Sequence, residues 1–115
     1  MKTLIVKKPW GKFEQFTHNE KTTVKILTIN KNGALSLQSH KLRSEFWKVI
    51  SGHPEITVGK SVVSAKPGDE FNIGKRKNHR IIAKKDTVQI LEVAHGNFEE
   101  KDIIRIEDFY GRIKN

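Results

Sequence analysis

Four residues of this chain carry side chains that could act together on one metal ion, namely Gln38, His40, Glu45 and His79. Gln38 and His40 are two positions apart, so on a β-strand they face the same way. A short turn at 41–44 would reverse the chain, and Glu45 would then open a second, antiparallel strand beside His40. His79 opens another strand 34 residues after Glu45. Two imidazoles, a carboxylate and an amide oxygen make a four-ligand set for a divalent ion. With no sulfur, such a set suits Zn, Mn, Fe, Co or Ni and does not choose among them. The order Gln-x-His-x4-Glu-x6-Gly, with Gly52 closing the hairpin, joins these residues into one pattern.

The elements around them read as strands nearly throughout. Short alternating or β-branched runs fall at 3–7, 12–16, 22–30, 34–40, 45–51, 54–58, 61–65, 70–73, 79–84 and 88–94. Turn signals separate them at Asn32-Gly33, Gly52-His53-Pro54, Gly59-Lys60, Pro67-Gly68-Asp69 and Lys85-Asp86. Strands at such spacing predict an all-β sandwich or barrel. The tail 98–110 mixes acids with apolar residues, and is expected to carry a short helical turn or to cover an open barrel edge.

The chain has 115 residues, so one domain over 1–115 is expected. Hydrophobic residues are 36% and charged residues 30%, a globular rather than a disordered composition. No cysteine is present, which excludes disulfides, thiolate catalysis and thiolate-bound zinc. No apolar run is long enough to span a bilayer, and the N-terminus lacks the apolar core of a secretion signal, so a cytoplasmic location and no membrane partner are expected. The formal charge is +9, from 22 Lys and Arg against 13 Asp and Glu. Such a charge attracts polyanions, phosphorylated metabolites among them, or is a solvated lysine-rich surface. Neither an RNA-binding aromatic motif nor a basic recognition helix appears, so nucleic acid is an unlikely partner.

The segment from Leu35 to Gly52, LSLQSHKLRSEFWKVISG, resembles the first motif of the cupins, with Gln38 in the first histidine position. It is similar in more detail to the type II mannose-6-phosphate isomerase cupin, which commonly forms the C-terminal part of bifunctional mannose-1-phosphate guanylyltransferases. Lys8-Pro9-Trp10-Gly11 with Glu14 is similar to the opening of that family, and Leu91-Glu92-Val93 and the tail from Asp102 to Arg112 to its ending. The resemblance implies a cupin double-stranded β-helix with Gln38, His40, Glu45, Trp47, His79 and Glu92 lining its lumen. It implies a divalent metal on Gln38, His40, Glu45 and His79, a small sugar phosphate as substrate, and interconversion of mannose 6-phosphate and fructose 6-phosphate. Glu92, Glu14 and Arg112 are the candidate catalytic residues by matching position. Arg43, Arg80 and Lys48 are the candidate substrate-binding residues, and Arg112 also lies in a matching segment that could meet the phosphate. A homodimer through edge strands is expected. The guanylyltransferase region is not part of this chain, so nucleotidyl transfer is not expected.

Departures from the family pattern accompany these matches. Leu42 and Phe46 replace two histidines and are expected to make the mouth of the site apolar. In the second motif Gly74 stands for a proline and Arg76 for a glycine, beside the cationic tract 74–80. These changes keep a second reading open: a non-catalytic or otherwise sugar-modifying cupin that binds a phosphorylated or anionic ligand.

Overall fold

The computed structural model describes residues 3–108 and 110. Eleven strands appear in chain order: β1 (Leu4–Lys8), β2 (Gly11–Gln15), β3 (Thr22–Ile29), β4 (Leu37–Ser39), β5 (Arg43–Ser51), β6 (Glu55–Val58), β7 (Ser61–Ser64), β8 (Glu70–Ile73), β9 (His79–Ile82), β10 (Val88–Gly96) and β11 (Ile104–Glu107). Each stretch expected to be extended contains a strand. Among the described residues no helix is long and apolar enough to cross a membrane.

The hairpin β1–β2 stands as a sheet of its own. The other strands form a four-stranded sheet, β3-β10-β5-β8, and a five-stranded sheet, β11-β4-β9-β6-β7. Every pairing is antiparallel. Apart from the tight hairpins β1–β2 and β6–β7, consecutive strands from β3 onward alternate between the two larger sheets, as a double-stranded β-helix requires. Inward side chains of both sheets meet in one core, with Trp47, Ile56, Ile81, Val88 and Ile90 fully buried. Alternation along β5 puts Glu45, Trp47 and Val49 inward.

One expectation needs correction. β4 and β5 do not form a hairpin, because they belong to different sheets. Both edges of β4 are already taken, by β9 and β11, and the chain crosses between sheets at 40–42. The Asp102 carboxylate fastens that crossing by accepting the backbone N–H groups of Lys41 at 2.9 Å and Leu42 at 2.8 Å. The tail contains no α-helix among the described residues. It covers the edge instead, as β11 on β4, the other of the two outcomes anticipated for it.

Two turn residues govern how the site strands are presented. Gly52, where the chain leaves β5 for the opposite sheet, has φ +85°, and a Cβ there would collide with the Thr87 carbonyl oxygen. Arg76, which stands where the family motif has glycine, keeps a left-handed backbone at φ +65°. Its N–H donates to the His40 carbonyl at 2.6 Å, and the Lys77 N–H closes the turn on the Gly74 carbonyl at 3.2 Å. The turn that presents His79 has thus lost its glycine but not its shape. A non-glycine residue in that region costs about 1–2 kcal/mol.

Gly52→Ala should destabilise the chain by about 2 kcal/mol or more, from left-handed strain plus the collision, read as a lower urea midpoint. Arg76→Gly should act the other way. Relief of strain exceeds the entropy cost of a new glycine, and stability should rise by up to about 1 kcal/mol, read as a higher urea midpoint with the slope unchanged.

Candidate metal centre

Strand register builds the site as two facing rows. On the four-stranded sheet, Lys25, Glu92 and Trp47 lie side by side across β3, β10 and β5. On the five-stranded sheet, Arg105, Gln38 and His79 lie side by side across β11, β4 and β9. Register partners on neighbouring strands share a face, so each row projects as a unit. Glu45 occupies the next inward position of β5, and His40 follows β4 directly. Between the rows lies a cavity of about 190 Å³, whose wall includes Gln38, His40, Glu45 and Glu92.

His40, Glu45 and His79 are all buried, and they offer ligand atoms within 4.8 Å of one another. His79 Nε2 lies 3.4 Å from Glu45 Oε1, and His40 Nε2 lies 3.8 Å from Glu45 Oε2. Backbone carbonyls orient both rings. His40 Nδ1–H donates to the Asp102 carbonyl at 2.6 Å, and His79 Nδ1–H donates to the Lys77 carbonyl at 2.9 Å. Each ring therefore turns an unprotonated Nε2 toward Glu45. Burial, the largest cause for both, holds the His79 imidazole down to about 4 and lowers that of His40. Arg43 supplies the local cation. Its Nε donates to Glu45 Oε2 at 3.0 Å and its Nη2 to His40 Nε2 at 3.2 Å.

Within this cluster two buried atoms, His79 Nε2 and Glu45 Oε1, have no hydrogen-bond partner among the described residues. Both are acceptors, and they face each other. A buried acceptor pair with no donor between them is costly, and a cation between them removes the cost. The donor types, neutral imidazole nitrogen and carboxylate and amide oxygen, match a divalent first-row ion. The residues present therefore fit such an ion.

Gln38 lines the same cavity, and its Oε1 accepts a hydrogen bond from Ser36 Oγ at 3.3 Å. Glu92 takes the Trp47 Nε1–H at 3.2 Å. Burial first, and then the charge of Glu45, pushes the Glu92 carboxyl up to about 7. The remaining candidates sit elsewhere. Glu14 lies on the β1–β2 hairpin, and its carboxylate is held below the usual range by hydrogen bonds from Lys48 at 2.6 Å and Thr3 at 2.8 Å. Lys48 also pairs with Glu70 at 3.4 Å, and as β5 alternates it points away from the face that carries Glu45 and Trp47. Arg80 binds the Leu35 carbonyl at 3.3 Å and the Glu107 carboxylate at 3.1 Å, fastening the tail strand rather than lining the cavity. Arg112 lies outside the described residues.

Leu42 and Phe46 do not line the mouth of this cavity. Leu42 is 47% exposed, and Phe46, one position from Glu45, points to the opposite face of β5 and packs on Phe16 at 5.8 Å. Sequence reasoning also missed residues that do surround the site: Lys25, Phe98, Asp102 and Arg105. Alternation offered a signal for Lys25, which shares a strand face with Leu27, and the matched tail offered one for Asp102 and Arg105. Phe98 carried no signal. Its ring lies under Lys25 at 4.0 Å and Arg43 at 4.1 Å.

Solved structures with this fold include a double-stranded β-helix protein from Klebsiella pneumoniae, with a TM-score of 0.67 and 19% identity, covering 80% of each chain. They also include an oxalate decarboxylase mutant from Bacillus subtilis, with a TM-score of 0.69 and 19% identity, covering 76% of this chain and 25% of that one. Identities this low show the fold alone. Among curated proteins, the xanthan biosynthesis protein XanB of Xanthomonas campestris is 35% identical over 109 residues, 93% of this chain. Alginate biosynthesis protein AlgA of Pseudomonas putida is 35% identical over 111 residues, and mannose-1-phosphate guanylyltransferase ManC of Salmonella typhimurium is 32% identical over 110. The chain spans 23% of the length of each of these three relatives. Residues 2–108 match the family described as Mannose-6-phosphate isomerase C-terminal. With a cupin fold and a match over nearly its whole length, this chain belongs to the C-terminal cupin family of mannose-6-phosphate isomerases.

Proposed function

We propose that this cupin is a metal-dependent isomerase that interconverts mannose 6-phosphate and fructose 6-phosphate. The observation that carries the reading is the buried His40–Glu45–His79 cluster, with its two unpartnered acceptor atoms, beside a further buried carboxylate in the same cavity. A divalent cation held by Gln38, His40, Glu45 and His79 would supply positive charge to stabilise an oxyanion.

The chain's own groups supply the rest. Glu45 is tied to Arg43, whereas Glu92 accepts the Trp47 indole N–H and lines the cavity. Glu92 is the proton carrier in this reading. As a carboxylate it takes the proton from C2 of the open-chain aldose, and the C–H electron pair becomes the C1=C2 bond of an enediol(ate). Returning that proton to C1, while a second proton passes from O2 to O1, yields the ketose. Arg43 keeps Glu45 and His40 in place throughout. Phe98, whose ring is held by Lys25 and Arg43, lines the cavity that the sugar occupies in this reading.

The test is turnover of mannose 6-phosphate by the purified chain with Mn²⁺, Co²⁺ or Zn²⁺. Turnover should vanish on chelation and return with metal. Glu92→Gln should lower kcat by about 10²–10⁴-fold and leave metal content unchanged. His40→Ala should lose both. Turnover that survives chelation rejects the metal role, and no turnover with any of the three metals rejects the isomerase reading. In the second case a metal-loaded binder of anionic sugars remains.

A further inference from the structure

We infer that Arg105 is the receptor for the terminal phosphate of whatever anion this cavity binds; the identification of that anion as a hexose 6-phosphate rests on the isomerase reading. Among the described residues, three side-chain cations line the cavity: Lys25, Arg43 and Arg105. Two of them are already engaged. Arg43 is held by Glu45, by His40 and, through Nη1, by the Glu99 carbonyl at 3.3 Å. Lys25 pairs with Glu100 at 3.2 Å and sits on the Phe98 ring. Arg105 has no carboxylate at salt-bridge distance among the described residues, and its Nε is buried with no hydrogen-bond partner there.

A buried guanidinium donor left unmatched requires a reason, because it loses water and gains nothing in exchange. An anionic ligand supplies one. A guanidinium presents parallel N–H donors that match two oxygens of a phosphate. The placement also fits the length of the ligand. Arg105, Gln38 and His79 stand in one row across three adjacent strands, which puts the backbones of Arg105 and His79 two strand spacings apart, about 10 Å. A six-carbon chain laid along that row puts its carbonyl end at the imidazoles and its phosphate at Arg105. The far row contributes Lys25 as a second positive group on the same side. The more conspicuous cationic loop at 74–80 does not form this wall: Lys75 and Arg76 are exposed and do not line the cavity.

Calorimetric titration of the purified chain with inorganic phosphate, mannose 6-phosphate and mannose tests the assignment. Arg105→Gln should weaken binding of inorganic phosphate and mannose 6-phosphate by about 10- to 100-fold and leave mannose unaffected. Arg105→Lys keeps the charge but not the fork, and its phosphate affinity should fall between the two. Lys75→Gln, in the exposed loop, should bind phosphate like the wild type. Equal phosphate affinity in wild type, Arg105→Gln and Arg105→Lys overturns the assignment. So does a wild-type chain that binds no phosphate, or a loss of phosphate binding in Lys75→Gln but not in the Arg105 variants. Arg105-dependent binding of inorganic phosphate without turnover of mannose 6-phosphate leaves the receptor standing and removes the isomerase reading instead.

Discussion

A carboxylate sealed between two neutral imidazoles is the constraint on which the rest of this structure depends. The Glu45 side chain is 2% exposed, and the His79 and His40 side chains beside it are exposed by only 1% and 5%. A buried carboxylate carries an effective penalty of several kcal/mol even after relaxation, so its surroundings must offset that energy. Arg43 does so for one oxygen. The other faces His79 Nε2, whose lone pair repels it. The local charge balance is therefore incomplete on one side only, and that side is where a cation belongs. Glu92 adjusts to the same surroundings: burial first, and the nearby charge of Glu45 second, push its carboxyl up to about 7.

The fold serves this constraint by bringing distant chain segments to one place and locking each from behind. Both imidazoles are oriented at Nδ1 by backbone, with Arg43 adding a side-chain hydrogen bond to Nε2 of His40. The backbone groups are the carbonyls of Asp102 and Lys77, and both belong to connecting segments outside the strands. The tail is consequently part of the site. Asp102 orients His40 through its carbonyl while its carboxylate holds the crossing at Lys41 and Leu42, and β11 closes the edge of β4. Arg80 fastens that strand through Glu107. The second-motif turn does the corresponding work for His79, and the Arg76 N–H ties it back to the carbonyl of His40. The two ligand-bearing loops thus brace each other, so that strain at Arg76 is held by a hydrogen bond to the other half of the site.

Much of this was legible in the sequence, for identifiable reasons. Strand alternation put Gln38 beside His40 in prospect, and the spacing from Glu45 to Gly52 marked one strand ending in a turn only glycine tolerates. The path between β4 and β5 was not legible. A gap of a few residues serves a hairpin and a sheet-to-sheet crossing equally well, and what decides is whether the edge of β4 is free, a fact held by β9 and β11 far along the chain. Phe46 is a different case. Once Glu45 is placed inward, its neighbour must point outward, so the apolar replacement there had to fall outside the cavity. Lys48 follows by the same alternation, and both expectations for the site set that period aside. Arg105 was hidden because the tail has no clear period of its own; its face is dictated by β4.

The departures from the family pattern therefore fall outside the donor set. Leu42 is at the surface, Phe46 packs on Phe16 beyond the sheet, and Arg76 holds the left-handed turn that glycine would hold at lower cost. None of the three alters the atoms that face Glu45. Of the three only Phe46 alters the outer face of β5, where it forms an aromatic contact with Phe16, the residue after β2. The chain departs from the pattern on the outer face of β5, at the crossing before it and in the turn before β9, and keeps to it where a cation is needed. The excess positive charge divides in the same way. Most of it is exposed lysine, while the part with chemical consequence lines the cavity from both sheets, with Arg43 committed to the carboxylate and Arg105 uncommitted. A cavity that holds an incomplete cation site at one end and an unmatched guanidinium at the other is built for a ligand that is itself polar at both ends.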